Sequence, residues 1–276
     1  MVEYSPKQMS NLLEQNNFNF KKKFGQNFII DENIVKNIVS KSCIDKETLV
    51  IEIGPGSGSL TSKLLEQAKN VLCYEIDKEL KGVLDANLGE FSNLEVIYGD
   101  FLTASLKKDI EKYDYKKLYV ISNLPYYITT PIIMKLIMDK IDVDKIVVMV
   151  QKEVGNRFKA KPGTRDYGSL SVFLSYYYDI KKIMDISKNV FMPKPNVDSI
   201  VVEFVKKEKL YILKDEEKFF NLIKDSFAQK RKNLRNNLKN YDLDIIESIL
   251  KNYNFDLNAR AEQLSLEIFV DIANSL

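Results

Sequence analysis

Short apolar runs alternate with amphipathic stretches through the first two-thirds of the chain. Thr48 to Ile53 reads as a strand and Leu60 to Ala68 as a helix. Val71 to Ile76 is again strand-like, and Lys78 to Leu88 helical. Leu94 to Tyr98, Leu118 to Ile121 and Lys145 to Val150 supply further strands, with a helix over Pro131 to Asp139 between the last two. Strand–helix alternation of this kind predicts an α/β fold, a largely parallel sheet with helices on both faces. Ser199 to Val205 is a β-branched run, the mark of an antiparallel edge strand. After Lys206 the β signal ends. Phe219 to Leu238, Ile245 to Tyr253 and Leu264 to Ile272 then carry apolar residues at helical spacing. The pattern therefore divides the chain into an α/β domain over 1–205 and a small all-α domain over 206–276. Ser5-Pro6 reads as the start of a short helix, and residues 1–19 suggest no function.

A length of 276 residues suits one large domain with a small companion. The chain has no histidine, which excludes Ser-His-Asp triads, histidine bases and the usual histidine-containing metal sites, so no metal is expected. Its two cysteines, Cys43 and Cys73, have neither the number nor the spacing of a zinc site or a disulfide framework, and read as small buried hydrophobes. The amino terminus lacks a signal pattern and no run reaches membrane-spanning length, so the expectation is a soluble, cytoplasmic protein. Net charge is only +2, but it is unevenly spread: residues 206–240 hold eleven Lys or Arg against five acids, and residues 152–165 five against one. Basic patches on a near-neutral chain point to a polyanionic partner.

Four strand ends carry the candidate chemistry. The first runs into Gly54-Pro55-Gly56-Ser57-Gly58, where glycines permit positive φ and close backbone approach to a ligand. The spacing is GxGxG, not the GxGxxG of pyrophosphate-binding folds. The second ends at Glu75, placed to accept hydrogen bonds from both hydroxyls of a ribose. Asp77 and Glu79, just beyond, suit the start of the next helix. The third ends at Asp100, whose carboxylate can take the N6 amine of a cofactor adenine. The fourth ends in Asn123-Leu124-Pro125-Tyr126: one amide, a stiffened backbone and a ring, the parts needed to grip a planar base with an exocyclic amine.

This series resembles the S-adenosylmethionine-dependent class I methyltransferases. Phe24-Gly25-Gln26-Asn27-Phe28, Glu52-Ile53-Gly54-Pro55-Gly56 and Asn123-Leu124-Pro125-Tyr126 follow the rRNA adenine N6-dimethyltransferases. Gln151-Lys152-Glu153-Val154, Asp166-Tyr167-Gly168, Phe191-Met192-Pro193-Lys194-Pro195 and Lys230-Arg231-Lys232-Asn233-Leu234-Arg235 look like the branch acting on small-subunit rRNA. The resemblance implies a Rossmann-like fold and two methyl transfers onto N6 of each of two adjacent adenosines near the 3′ end of 16S rRNA, in the small subunit or its precursor, by a monomer. It implies that Asn27, Ile29, Gly54, Gly56, Gly58, Glu75, Asp100 and Asn123 line the cofactor site. Asn123, Leu124, Pro125 and Tyr126 would form the catalytic clamp, with Tyr126 and Phe191 stacking on the target base. Tyr127 departs from relatives that carry Asn. Phosphate contacts would come from Lys21, Lys22, Lys23, Arg157, Lys159, Lys161 and Arg165, and from Lys230, Arg231, Lys232 and Arg235 on a helical stretch.

Three other readings compete. A 23S rRNA adenine methyltransferase of the antibiotic-resistance type shares the Gln-Asn-Phe and Asn-x-Pro-Tyr elements, but the 151–153 and 166–168 stretches argue against it. A DNA adenine methyltransferase would more often place Asp at position 123. A non-catalytic assembly factor would show degraded cofactor residues, and Gly54, Glu75, Asp100 and Asn123 are intact.

Overall fold

The computed structural model describes residues 6–16, 18–21, 24–208 and 211–276. Its first half runs α1 (Pro6–Gln15), β1 (Phe28–Ile29), α2 (Glu32–Ser42), β2 (Thr48–Ile53), α3 (Ser59–Gln67), β3 (Asn70–Glu75), α4 (Lys81–Leu88), β4 (Leu94–Tyr98), α5 (Leu106–Ile110), β5 (Lys117–Asn123) and α6 (Thr129–Met138). The second half runs β6 (Lys145–Gln151), α7 (Lys152–Phe158), α8 (Ser169–Tyr177), β7 (Tyr178–Ile186), β8 (Phe191–Met192), β9 (Ser199–Lys206), α9 (Glu216–Ser226), α10 (Leu234–Asn237), α11 (Leu243–Asn252) and α12 (Leu266–Ser275).

Seven strands form one sheet in the order β4-β3-β2-β5-β6-β9-β7. The pairs β2–β3, β2–β5, β3–β4 and β5–β6 are parallel, and β9 joins β6 antiparallel with Met149 opposite Val201. All six residues of β2 are buried, Thr48 and Glu52 among them, as a central parallel strand covered on both faces requires. The outer strand β4 is only half-buried along its length. The α/β fold and the antiparallel pairing of Ser199 to Val205 are as the pattern predicts, but β9 lies between β6 and β7, so the edge on that side is β7 and not β9. From β2 the chain steps outward to β3 and β4, then returns to β5 on the other side of β2. That reversal opens a crevice at the carboxyl ends of β2 and β5, where ligands of such sheets sit.

The chain forms two compact units, Met1–Lys152 with Lys181–Val205, and Glu153–Ile180 with Lys206–Leu276. The division at 206 matches the sequence pattern, but the segment 153–180 does not stay with the α/β domain. Its Tyr167, Val172 and Tyr176 pack into the helical core with Phe219, Leu222, Leu234 and Phe269. The charges and glycines between 153 and 168 conceal two short helices from a periodicity reading.

The helix expected over Phe219 to Leu238 is also broken. Ser226 Oγ donates back to the Leu222 carbonyl at 2.7 Å near the end of α9. Asn233 then caps α10, its Oδ1 accepting from the Asn236 amide at 3.2 Å. Short polar side chains that bond the backbone in this way end helices and start new ones. Lys230, Arg231 and Lys232 consequently lie in the turn between α9 and α10, and only Arg235 is helical.

Candidate active site

The glycine loop leaves β2 with Gly54 at φ 74°, Gly56 at φ 60° and Gly58 at φ 84°. The Gly54 amide donates to the Tyr74 carbonyl at 2.8 Å, which folds the loop toward β3. A Cβ on Gly56 would lie 2.8 Å from the Phe28 ring, so any side chain there would displace that ring as well as strain the backbone. Glu75 ends β3 with 4% of its surface exposed. Its Oε2 accepts from the Gly56 amide at 3.3 Å and its Oε1 from the Asp77 amide at 2.8 Å. Burial pushes its carboxyl up to about 7, against the pull of those amides.

Across the crevice, Ser122 Oγ donates to the Ile53 carbonyl at 2.5 Å and ties the end of β5 to the end of β2. The Leu124 amide donates to the Met149 carbonyl at 3.1 Å. Asn123 Nδ2 donates to the Asn27 carbonyl at 2.9 Å. A carbonyl partner accepts only a donor, so this bond fixes the amide's orientation and turns Oδ1 away as a free acceptor. The Tyr126 hydroxyl and Ser199 Oγ share a hydrogen bond of 2.7 Å that anchors the ring from its far end. Tyr127 is 52% exposed, and a Cβ on Gly25 would sit 3.1 Å from its ring.

Lys21 and Gln26 are fastened to the residues just beyond β3. Lys21 Nζ lies 2.7 Å from Asp77 Oδ1 and 2.8 Å from Glu79 Oε2. Gln26 Nε2 donates to Asp77 Oδ2 at 2.9 Å, and Gln26 Oε1 accepts from the Lys21 amide at 2.7 Å. Burial works to raise the Asp77 carboxyl, but Lys21 and Gln26 outweigh it and hold it below its ordinary range. Asp77 is therefore a latch as well as the cap of the turn that begins at Lys78. One pocket results, lined by Phe24, Gly25, Gln26, Asn27, Phe28, Gly54, Gly56, Glu75, Ile76, Leu80, Asn123, Leu124, Pro125 and Tyr126.

Residues 17–276 match the family described as Ribosomal RNA adenine dimethylase. The chain belongs to the ribosomal RNA adenine dimethylase family. Ribosomal RNA small subunit methyltransferase A of Staphylococcus aureus (strain bovine RF122 / ET3-1) is 46% identical over 277 aligned positions, covering 97% of this chain and 93% of that protein. A dimethyladenosine transferase from Plasmodium falciparum superposes with a TM-score of 0.73 at 27% identity, over 89% of this chain and 95% of the other. The 23S rRNA methyltransferase ErmE gives a TM-score of 0.72 at 22% identity over 90% of this chain and 99% of the other, a likeness of fold.

Most residues that the dimethylase resemblance assigns to cofactor and clamp converge. Asn27, Gly54, Gly56, Glu75, Asn123, Leu124, Pro125 and Tyr126 share the pocket, and Ile29 lines a small adjoining one with Gly54, Gly56 and Asn123. Three others do not join them. Gly58 lines neither pocket; it starts α3, and a Cβ there would meet Leu88 at 2.8 Å, so its role is helix packing. Asp100 Oδ1 accepts from the Leu102 amide at 2.9 Å and caps a turn outside both linings. Phe191 is 3% exposed, pairs with Ile29 through the backbone and belongs to the core, so it is not presented for stacking.

Sequence reading overlooked Gln26, whose signal was its place beside Asn27, and Glu52, a carboxyl inside a fully buried strand. Glu52 is 1% exposed and lines the adjoining pocket. Burial, with the nearby Glu75 charge, pushes it up to about 8 although Thr61 and Cys73 pull the other way. Cys73 is buried as expected, but Cys43 is exposed, because it ends α2 in the left-handed conformation at φ 54°.

The basic residues divide. Lys21 is held by Asp77 and Glu79, so it latches the pocket and is not free for phosphate. Lys22 and Lys23 lie outside the described residues. Arg157, Arg165 and Lys230 come together around a cavity in the helical unit. Lys161, Arg231, Lys232 and Arg235 are exposed and Lys159 half-buried.

Proposed function

We propose that the chain transfers methyl groups from S-adenosylmethionine to N6 of two adjacent adenosines near the 3′ end of 16S rRNA, making each a dimethyladenosine. The carrying observation is the Asn123 side chain, tied by Nδ2 to the Asn27 carbonyl with Oδ1 left to accept. The 46% identical relatives named for the small subunit favour 16S over 23S rRNA, since the ErmE likeness extends to fold alone. No helix among the described residues is long and apolar enough to cross a membrane, in keeping with a cytoplasmic site of action on the ribosome.

The chemistry of the lining suits the methyl donor. Gly54 and Gly56, both at positive φ, put backbone without side chains along the pocket wall, and Glu75 offers the remaining lone pairs of a buried carboxylate to ribose hydroxyls. The donor would supply a methyl group on a positively charged sulfur, which keeps the electron pair of the broken S–C bond and leaves as a neutral thioether. Asn123 Oδ1 and the Leu124 carbonyl accept the two N–H bonds of the target amine, turning its lone pair toward that methyl at near-attack distance. The amine becomes cationic as its new N–C bond forms and then sheds a proton to water, so a chain without histidine suffices. Tyr126, anchored by Ser199, gives the flipped adenine a face to stack on, worth roughly 1–3 kcal/mol per base.

The test is incubation with labelled S-adenosylmethionine and unmethylated small or large subunits, followed by mapping of the modified bases. Label in two adjacent adenosines of small-subunit rRNA is the expected result. Label only in large subunits, or in neither, overturns the proposal.

A further inference from the structure

A large cavity lies wholly within the helical unit and shares no residue with the Asn123 pocket. Its volume is about 670 Å³, with a wall formed by Glu153 and Arg157 of α7, Arg165 to Ser171, Phe227, Lys230 and Glu262. That is far more than one ion or a few waters need, and falls in the range of about 300–1,000 Å³ that small-molecule sites occupy. The wall is held in place. The Gly163 amide donates to the Glu262 carbonyl at 2.7 Å, Ser171 Oγ to the Arg157 carbonyl at 2.6 Å, and the Tyr167 hydroxyl to the Leu264 carbonyl at 2.9 Å. Phe227 packs edge-on against Tyr167 with centroids 6.2 Å apart and remains half-buried at the wall.

Charge identifies the occupant. Three cations, Arg157, Arg165 and Lys230, and three carboxylates, Glu153, Asp166 and Glu262, line the same space. Among the described residues, none of these cations pairs with one of these acids. Lys230 Nζ reaches the Arg165 carbonyl at 3.4 Å, and Glu262 has only Arg260 at 4.0 Å. A wall that intersperses both signs suits a ligand that brings both an anion and N–H donors. Five of the six are exposed and Glu262 is half-buried, so water solvates them in the free protein, and the acids would repel a polyphosphate. One nucleotide of single-stranded RNA has a single phosphodiester charge, an exocyclic amine on three of the four bases, and a flat ring for Phe227.

We propose that this cavity is a second nucleotide seat, which takes one unpaired, amine-bearing nucleotide of the substrate RNA with its phosphate on Arg157, Arg165 and Lys230 and its base edge on the carboxylates. The proposal rests on the rRNA reading above. It concerns anchoring, and assigns no chemistry to the cavity.

Full-length protein is titrated with the tetranucleotides C4 and U4, which share a backbone but differ in the exocyclic amine. C4 is expected to bind several-fold more tightly than U4. Arg157→Ala with Arg165→Ala is expected to weaken C4 by about tenfold or more, the scale of losing charge-assisted bonds. It should also flatten the slope of log affinity against log salt by about 0.7 for each phosphate contact removed. Glu153→Gln with Asp166→Asn keeps the cations and should leave C4 and U4 equal. Thermal melts and S-adenosylmethionine affinity, unchanged in both double variants, exclude misfolding. Wild-type binding of C4 by the arginine variant, or equal binding of C4 and U4 by the unaltered protein, overturns the seat. If the unaltered protein methylates small subunits while either result is seen, only the seat fails. If it methylates none, the functional reading fails instead.

Discussion

The Asn123 pocket and the helical unit's mixed-charge cavity are built on opposite terms. Around Asn123 nearly every polar group has a partner inside the protein. Nδ2 is bonded to Asn27, Tyr126 to Ser199, Glu75 to two backbone amides, and Asp77 to Lys21 and Gln26. Around Arg157 and Arg165 the charges are left unpaired among the described residues. The first region selects by geometry, since a methyl transfer depends on angle and distance. The second, as the proposed nucleotide seat, selects by charge and by an exocyclic amine, which tolerate looser placement than methyl transfer does. A misplaced atom should therefore be ruinous in one region and tolerable in the other.

The sharpest way to break this contrast is Asn123→Ala. Single-turnover methylation of unmethylated small subunits should fall by about a hundredfold or more, the scale of a misplacement of roughly 1 Å, while subunit binding persists. Near-normal turnover would show that the amide is not the clamp.

Next comes Glu75→Ala, which should weaken S-adenosylmethionine binding by about 1–3 kcal/mol, measured by calorimetry. Unchanged affinity would remove Glu75 from the site.

The same carboxyl makes binding depend on pH. Ribose hydroxyls donate to the ionised form, whereas burial holds the free protein's carboxyl up at about 7. Below that pH a proton must leave before the ligand enters, so the dissociation constant should rise about tenfold per pH unit and binding should release a proton. The stability of the ligand-free protein runs the other way. With Glu75 raised to about 7 and Glu52 to about 8, their contribution is fully present below the ordinary carboxyl range and is lost as pH climbs through 7 and 8. A melting temperature that rises over that interval would contradict the assignment.

The smallest effect belongs to the other region. Lys161→Ala, an exposed single charge, should lower subunit affinity by less than about threefold and reduce its salt dependence slightly.

The strands and the four strand ends were legible because buried parallel strands write themselves as largely apolar runs, and β2 and β5 were placed to within two residues. Asn123, Glu75 and the glycine loop could be found because each follows such a run directly. The latch could not, because Lys21 and Asp77 lie 56 residues apart and only the fold brings them together. Lys21 therefore looked like one more cation in a basic triplet. Phe191 misled for a related reason: its motif marks a loop, but its pairing with Ile29 draws the ring into the core. The helices α7 and α8 were hidden because each has fewer than ten residues and α7 is rich in charge.

The polypeptide passes between its two units three times, at residues 152–153, 180–181 and 205–206. This has a consequence for birth on the ribosome. Tyr167, Val172 and Tyr176 emerge from the exit tunnel well before Phe219, Leu222 and Phe269, against which they pack. At about 5–20 residues per second, they wait on the order of ten seconds for those partners, an interval in which nascent-chain chaperones can reach them. Nor can the helical unit be detached by cutting at 206, since the cut would leave its first two helices behind with their apolar faces bare. A member of the ribosomal RNA adenine dimethylase family is thus itself finished only when its α12 has left a ribosome.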